Sequence, residues 1–276
     1  MTGSRHKEVP TMSITFDQTE NALRADTHIA RGIELAERGW TEEAIKEFTN
    51  ALKVAPHSSS GFDNLATVYA ESGQLLEALD AYTKALNLDP SNIIALHNLG
   101  CFLSNHGSTL AAQCFKSAFN ADPEFFESRF NYGLCLSAED NHEKAAYQFQ
   151  KALEVNPSDN EIRYHLALSY ICLEKYPLAI KELLKVVKSD DQRDDAWQAL
   201  GESYQEQGFP EEAINAYTKA LAIDNQRIET MLSLASLLKT QKRNKEAHAL
   251  AKRAKLLDPK KTADFIEMDE NIWPEF

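Results

Sequence analysis

The sequence predicts an all-α chain built from seven tandem helical hairpins, and three periodic signals carry that prediction. An alanine recurs as Ala44, Ala78, Ala111, Ala145, Ala179, Ala213 and Ala247, at spacings of 34, 33, 34, 34, 34 and 34 residues. Four residues after each stand Phe48, Tyr82, Phe115, Phe149, Leu183, Tyr217 and Ala251. Upstream, a small residue recurs as Gly32, Ala66, Gly100, Gly133, Ala167, Gly201 and Ala235, and three residues later come Leu35, Tyr69, Leu103, Leu136, Tyr170, Tyr204 and Leu238. Offsets of three, four and seven place such residues on one helical stripe. Self-similarity at a fixed period of this length is the mark of stacked repeats.

Each unit reads as helix, turn, helix, stop. In the first helix the small residue lets a neighbouring helix approach, and the large residue one turn on fills the remaining gap. Leu65, Leu99, Tyr132, Leu166, Leu200 and Leu234 precede the small residue, with Arg31 the exception. The glycines Gly39, Gly73, Gly107 and Gly208 mark the reversal between helices, where a residue must adopt a conformation that a side chain resists. In the second helix a further small residue follows as Ala51, Ala85, Ala118, Ala152, Val186, Ala220 and Ala254, and the unit closes at Pro56, Pro90, Pro123, Pro157, Asp191, Asn225 and Pro259. Proline is tolerated in a first helical turn but not in a helix interior, so it punctuates the array. One hairpin cannot bury its apolar face alone, but stacked hairpins share a core.

The sixth unit carries Trp197, Leu200, Gly201, Tyr204, Ala213 and Tyr217, which resembles the W-x2-L-G-x2-Y and A-x3-F pattern of the tetratricopeptide repeat family. The resemblance covers residues 25–259. It implies a right-handed α-α superhelix, a TPR solenoid of seven helix-turn-helix repeats, with units at 25–58, 59–92, 93–125, 126–159, 160–193, 194–227 and 228–261. Residues 1–24 read as a polar, partly disordered extension, and 262–276 as an acidic and aromatic tail or cap. Three departures are local. The third unit is one residue short between Gly107 and Ala111, the fifth and sixth close on Asp191 and Asn225, and the seventh has Ala251 where an aromatic is usual, as a looser capping unit would. Thr262–Glu270 is a candidate for a helix that solvates the last repeat.

Composition narrows the partners. The formal net charge is -13, and an acidic surface repels nucleic-acid phosphates and anionic headgroups. Cys101, Cys114, Cys135 and Cys172 show no metal-ligand spacing and read as reduced thiols, mostly packed as small hydrophobes. The first twenty residues lack the apolar stretch of a signal peptide, and no apolar run reaches membrane-spanning length. The expected setting is the cytoplasm, or the nucleus if the source is eukaryotic.

In this family the first helices line a concave groove where partners lie, so the resemblance points to positions on those helices. The sixth residue of successive units is Ala30, Asn64, Asn98, Asn131, His165, Ala199 and Ser233. The run Asn64, Asn98, Asn131 is similar to the asparagine ladder in the repeat domain of the O-linked GlcNAc transferases, where amides hold the backbone of an extended peptide. An amide both donates and accepts, so it can pair with any peptide unit whatever its side chain. Solvated asparagines inherited by duplication would give the same pattern. The fifth and ninth positions are apolar or aromatic centrally, with His97, Cys101, Phe130, Leu134, Tyr164 and Leu168, and polar at the ends, with Asp63, Thr67, Gln198 and Glu202. Leu134 and Leu168 read as packing between repeats, while Phe130 and Tyr164 suit either packing or contact. The second positions include Asp26, Glu127, Glu161, Asp195 and Glu229. An apolar floor with an acidic rim suits a peptide with apolar anchors and basic flanks. Trp273 and Phe276 could dock on a partner or cover the last repeat's open face.

Co-chaperones of this family grip a C-terminal carboxylate of heat-shock chaperones with inner-helix lysines and arginines. Here those places hold mostly acidic, amide and apolar residues, and Arg129 and Arg163 stand at the fourth position, which normally packs. No such clamp is expected. The sequence contains no phosphate loop, no G-x-G-x-x-G and no H-E-x-x-H. Acid pairs such as Glu42-Glu43 and Glu211-Glu212 sit where they favour a helix N-terminus. The repeats leave no room within these 276 residues for a catalytic domain. The expectation is a scaffold or adaptor that takes a peptide or protein in its groove, needs no cofactor and is not an enzyme. The alternative is an assembly subunit that works through its convex face or edges. A chaperone-like assembly factor would present the same groove.

Overall fold

A computed structural model describes residues 16–106 and 110–267. The described residues form fifteen helices and no strands. The first seven pairs are α1 (Phe16–Glu37) with α2 (Thr41–Val54), α3 (Ser59–Glu71) with α4 (Leu75–Leu88), α5 (Ile93–Asn105) with α6 (Ala111–Ala121), α7 (Phe126–Ala138) with α8 (His142–Val155), α9 (Asn160–Cys172) with α10 (Tyr176–Ser189), α11 (Asp194–Glu206) with α12 (Pro210–Ile223), and α13 (Ile228–Thr240) with α14 (Asn244–Leu257). The last helix, α15, is Pro259–Glu267. The fold class is the one the periodicity predicts, an all-α array of seven helix-turn-helix repeats. The helices fall into two compact units, residues 1–123 with the first three hairpins and residues 124–276 with the other four and α15.

Local chemistry sets the helix limits. Three first helices begin behind a side chain that satisfies open backbone N–H groups. Ser58 Oγ accepts from Gly61 N–H at 3.0 Å, Asn92 Oδ1 from Ala95 N–H at 3.0 Å, and Asp159 Oδ1 from Glu161 and Ile162 N–H at 2.9 and 3.0 Å. The reversals between helices use a left-handed residue. Gly39, Gly73 and Gly208 have φ of 76°, 77° and 75°, and Asp140, Glu174 and Lys242 hold the same place in their repeats at 56°, 57° and 62°. Gly107 lies outside the described residues. Second helices end where the sequence places a stop, and Pro259 does double duty by opening α15.

The recurring large residues are the core. Phe48, Tyr82 and Phe115 are buried in the first unit, and Phe149, Leu183 and Tyr217 in the second. Burying each such side chain contributes about 1.5–3 kcal/mol. The recurring alanines around them are fully covered, since a larger side chain would push the helices apart.

At the N-terminal end, α1 runs from Phe16, ahead of the first repeat residue Ala25. At the C-terminal end, α15 begins three residues before the expected Thr262. Asp258 Oδ1 caps it by accepting from Lys261 N–H at 2.9 Å. Its Phe265 packs on Met231, Leu232 and Ala254, and Thr262 is buried. Residues beyond 267, including Trp273 and Phe276, lie outside the described residues. Among the cysteines, Cys101, Cys114 and Cys135 are half-buried and Cys172 is exposed at the end of α9.

Candidate functional site

The first helix of each hairpin carries the predicted positions. Asn64, His97, Asn98, Phe130, Asn131, Tyr164 and His165 are all half-buried, reachable from solvent yet held by neighbours. In the first unit the fifth and sixth positions of adjacent repeats meet. Asn98 Nδ2 donates to both carboxylate oxygens of Asp63, at 3.1 and 3.2 Å. Asp63 is only 4% exposed, and burial pushes its pKa up to about 6, against the Asn98 hydrogen bond that lowers it. Among the described residues no cation forms an ion pair with Asp63. Thr67 Oγ1 donates to the Asp63 backbone carbonyl at 3.1 Å and therefore accepts from the Tyr82 hydroxyl at 3.3 Å. Asn64 Nδ2 donates to Ser60 O at 2.8 Å. His97 lies beside Cys101 Sγ at 3.6 Å and the Phe115 ring at 5.7 Å.

In the second unit the same fifth-to-sixth relationship is aromatic. Phe130 meets the His165 ring at 5.5 Å and the Phe149 ring at 5.7 Å, and Tyr164 meets His165 at 5.6 Å. Burial, outweighing the pull of Glu161, holds the His165 pKa below its ordinary value, so the imidazole is neutral near pH 7. Leu134 and Leu168 pack against the same core. Phe130 and Tyr164 do both things the sequence left open, packing on that core while remaining half-buried.

The acids of the predicted rim divide. Glu127 is exposed. Glu161 and Asp195 converge on Arg193, which reaches Glu161 at 2.8 Å and Asp195 at 2.9 Å and lays its guanidinium 4.2 Å from the centroid of Tyr164. Tyr164 is pushed up to about 12 by burial and by Asp195, so it remains a neutral phenol. One repeat on, Arg227 pairs with Asp194 at 2.5 Å, and Lys261 of α15 pairs with Glu229. These three cations stand 34 residues apart, at the position where Ser58, Asn92 and Asp159 cap earlier helices. Each ties its helix to an acid of the preceding repeat. Sequence reading missed them, although their 34-residue spacing is visible in the chain. Gln198, a polar fifth position in the sequence, joins this network: its Oε1 accepts from Arg227 Nη1 at 2.6 Å and from Thr230 Oγ1 at 2.7 Å.

The inner-helix arginines at the fourth position are engaged with the second helix of their own repeat, and Arg163 also with the end of the preceding one. Arg129 donates to Gln148 at 3.2 Å. Arg163 donates to Glu182 at 2.6 Å and to Pro157 O at 2.5 Å. Among the described residues no group of three or more His, Cys, Asp or Glu side chains could hold a metal ion, and no helix is long and apolar enough to cross a membrane.

Stacked helical hairpins with small-residue seams and half-buried polar positions on their first helices define an all-α repeat protein. Known proteins agree. The family model described as Tetratricopeptide repeat matches residues 98–258, and one described as TPR repeat matches 66–105. The chain belongs to the tetratricopeptide repeat family, whose members bind peptides or proteins. It is 31% identical over 114 residues to tetratricopeptide repeat protein 7A of Homo sapiens; that stretch covers 41% of this chain and 13% of the human protein. Solved structures show the same fold. The pilF protein of Pseudomonas aeruginosa has a TM-score of 0.68 at 21% identity, covering 76% of this chain and 96% of its own. YrrB, described as a TPR protein with an unusual peptide-binding site, has a TM-score of 0.62 at 24% identity, covering 67% and 95%.

Proposed function

We propose that this protein is a scaffold or adaptor whose first helices hold an extended segment of a partner protein. The observation that carries the reading is the shared state of the fifth and sixth positions. Asn64, Asn98, Asn131, Phe130, Tyr164 and His165 recur at one place on successive first helices and stay half-buried, while the residues beside them close the core. Aromatic faces supply contact area, and amides supply sequence-independent pairing. Asn98 already spends one N–H on the Asp63 carboxylate, so its carbonyl oxygen and its other N–H are what it can offer a guest. A guest with apolar anchors and basic flanks meets this chemistry.

The test is binding of fluorescent extended peptides to wild type and to a triple variant, Asn64→Ala, Asn98→Ala and Asn131→Ala, with far-UV circular dichroism as the folding control. The expected result is loss of binding with helicity retained. Binding that survives with unchanged affinity would discard the asparagine positions as the contact surface.

A second reading, assembly through the outer helices, has one observation in its favour. Leu75, Leu76 and Leu79 are exposed together at the start of α4, Leu76 at 80%. Light scattering over a concentration series separates the two, since a monomer at all concentrations speaks against self-assembly.

A further inference from the structure

The first unit contains the same pocket twice, one repeat apart. The first, of about 200 Å³, is lined by Ile33, Glu37, Phe48, Asn64, Val68 and Glu71 among others. The second, of about 250 Å³, is lined by Thr67, Glu71, Tyr82, Asn98, Phe102 and Asn105 among others. Adding 34 to each residue number of the first gives the second, in the same order. Both are smaller than the roughly 300–1,000 Å³ of small-molecule sites, so each fits one side chain rather than a whole ligand. Glu71 belongs to both, as the far wall of one and the near wall of the other.

The chemistry of the walls is one-sided. Asn64 spends its amide N–H on Ser60 O, Asn98 on Asp63, and Thr67 its hydroxyl proton on the Asp63 carbonyl. The two amides keep their carbonyl oxygens and one further N–H each, so the charge these walls can offer a guest comes from carboxylates. Glu37 and Glu71 are exposed at the pockets, and among the described residues neither forms an ion pair. Behind Asn98 lies Asp63, a buried carboxylate that no cation neutralises. The pocket floors are apolar or aromatic, from Phe48 and Val68 in one and Tyr82 and Phe102 in the other. An apolar floor under a rim that carries Glu37 and Glu71 matches a lysine or arginine, which buries its methylene stem and presents its charge at the end.

Resting on the peptide-binding reading above, we infer that these two pockets receive two basic side chains, three residues apart, from one extended segment of a partner protein. The register follows from geometry. The helix α3 packs on both α1 and α5, and packed helices stand about 8–10 Å apart. A polyproline-II segment advances about 3.1 Å per residue and returns to the same side every third residue. Side chains i and i+3 therefore meet neighbouring pockets. Glu161 and Asp195 of the second unit are not open to this role, because Arg193 holds them.

The test uses the full chain and fluorescence anisotropy with three synthetic peptides of equal length. They carry lysines at i and i+3, lysines at i and i+1, or glutamates at i and i+3. Glu37→Gln and Glu71→Gln are the variants, both at exposed positions, with circular dichroism as the folding control. The i,i+3 lysine peptide is expected to bind best. Glu71→Gln should weaken it roughly fivefold, because two pockets share that carboxylate, and Glu37→Gln about twofold. Equal effects of the two variants, or equal binding of the glutamate peptide, would overturn the pockets while leaving peptide binding intact. Failure of every peptide would overturn both readings. A wild-type dimer that Glu71→Gln dissolves would assign the pockets to a second copy of the chain and overturn the inference as stated.

Discussion

Gly133 lies so close beneath the ring of Phe149 that a Cβ built on it would come within 2.5 Å of the ring carbon Cε1. The relationship recurs. Gly32 meets Phe48, Gly100 meets Phe115 and Gly201 meets Tyr217, each at 2.6 Å. Where the small residue is Ala167 instead, the facing side chain is Leu183 rather than an aromatic ring. The second repeat, with Ala66 opposite Tyr82, is the exception; in the four glycine repeats the close fit couples the glycine to its ring.

Gly133→Ala should cost about 1–3 kcal/mol, as overpacking of a close-fitted core does. Phe149→Leu alone should also destabilise, by leaving space behind. The double variant should cost less than the sum, because it rebuilds the alanine-leucine seam of the fifth repeat. Urea unfolding of the four proteins measures the cycle. Strict additivity would mean that the ring and the glycine do not constrain each other.

Asp63 makes stability fall as the solution becomes less acidic. An unfolded aspartate titrates at about 3.9, whereas burial pushes Asp63 up to about 6. Between those values the folded chain keeps a proton that the unfolded chain has lost, so unfolding becomes easier as pH rises through that window. Above pH 6 the full cost is present, on the order of 2–3 kcal/mol. Asp63→Asn keeps an acceptor for Asn98 without the charge. It should raise stability at pH 7 and flatten the slope between pH 4 and 6. Chemical denaturation at pH 4, 5, 6 and 7 reads this directly, and an unchanged slope in the variant would refute the assignment.

The difference between what the chain announces and what it conceals is physical. The pairing of Ala145 with Phe149 is legible because both lie on one helix, and helical periodicity fixes who faces whom. The half-buried state of Asn64, Asn98 and Asn131 follows from the same periodicity. The partner of Asn98 is not legible, because Asp63 stands 35 residues away, and only the packed neighbour decides whether an amide meets a guest or a carboxylate. Arg193 was hidden for the same reason. Its cap position predicts a local role, but its side chain is long enough to reach Glu161 in the preceding repeat. Asp140, Glu174 and Lys242 escaped notice as turn residues because no glycine marks them.

Arg163 and Glu182 test how much a covered ion pair contributes. Both side chains are about an eighth exposed, at 13% and 12%, and Lys185 adds a second cation at 2.9 Å. Burial alone would raise the Glu182 pKa, but hydrogen bonds from Lys185 and Arg163 outweigh it and hold the carboxyl below its ordinary range. The stabilisation is thus present above the unfolded carboxylate pKa and is lost as pH falls through the folded one. Arg163→Met should cost about 2 kcal/mol, as loss of a charge-assisted hydrogen bond that leaves the carboxylate to Lys185 alone, and Lys185→Met no more than about 1 kcal/mol, since that lysine is half-exposed. Arg163→Met combined with Glu182→Leu should recover most of the loss. Thermal melts at pH 7 and pH 3 check the order. Equal losses from the two cation variants would show that the buried partner has no special weight.

The left-handed turn position offers a stabilising change. Glu174 and Lys242 hold φ of 57° and 62° at the place where Gly39, Gly73 and Gly208 sit without strain. A side chain there costs about 1–2 kcal/mol, while glycine loses about 0.4–1 kcal/mol through the greater freedom of the unfolded chain. Glu174→Gly and Lys242→Gly should therefore each gain about 0.5–1 kcal/mol. Asp140→Gly should gain less, because aspartate tolerates this conformation better. Gly208→Ala should lose about 1 kcal/mol by the reverse argument, even though nothing lies within 4 Å of a Cβ there. That open space makes the comparison clean, since only the backbone can register the change. Denaturation midpoints of the four variants, with unchanged denaturant slopes, decide it. A Glu174→Gly protein less stable than wild type would mean that the glutamate does something at this turn beyond holding the backbone.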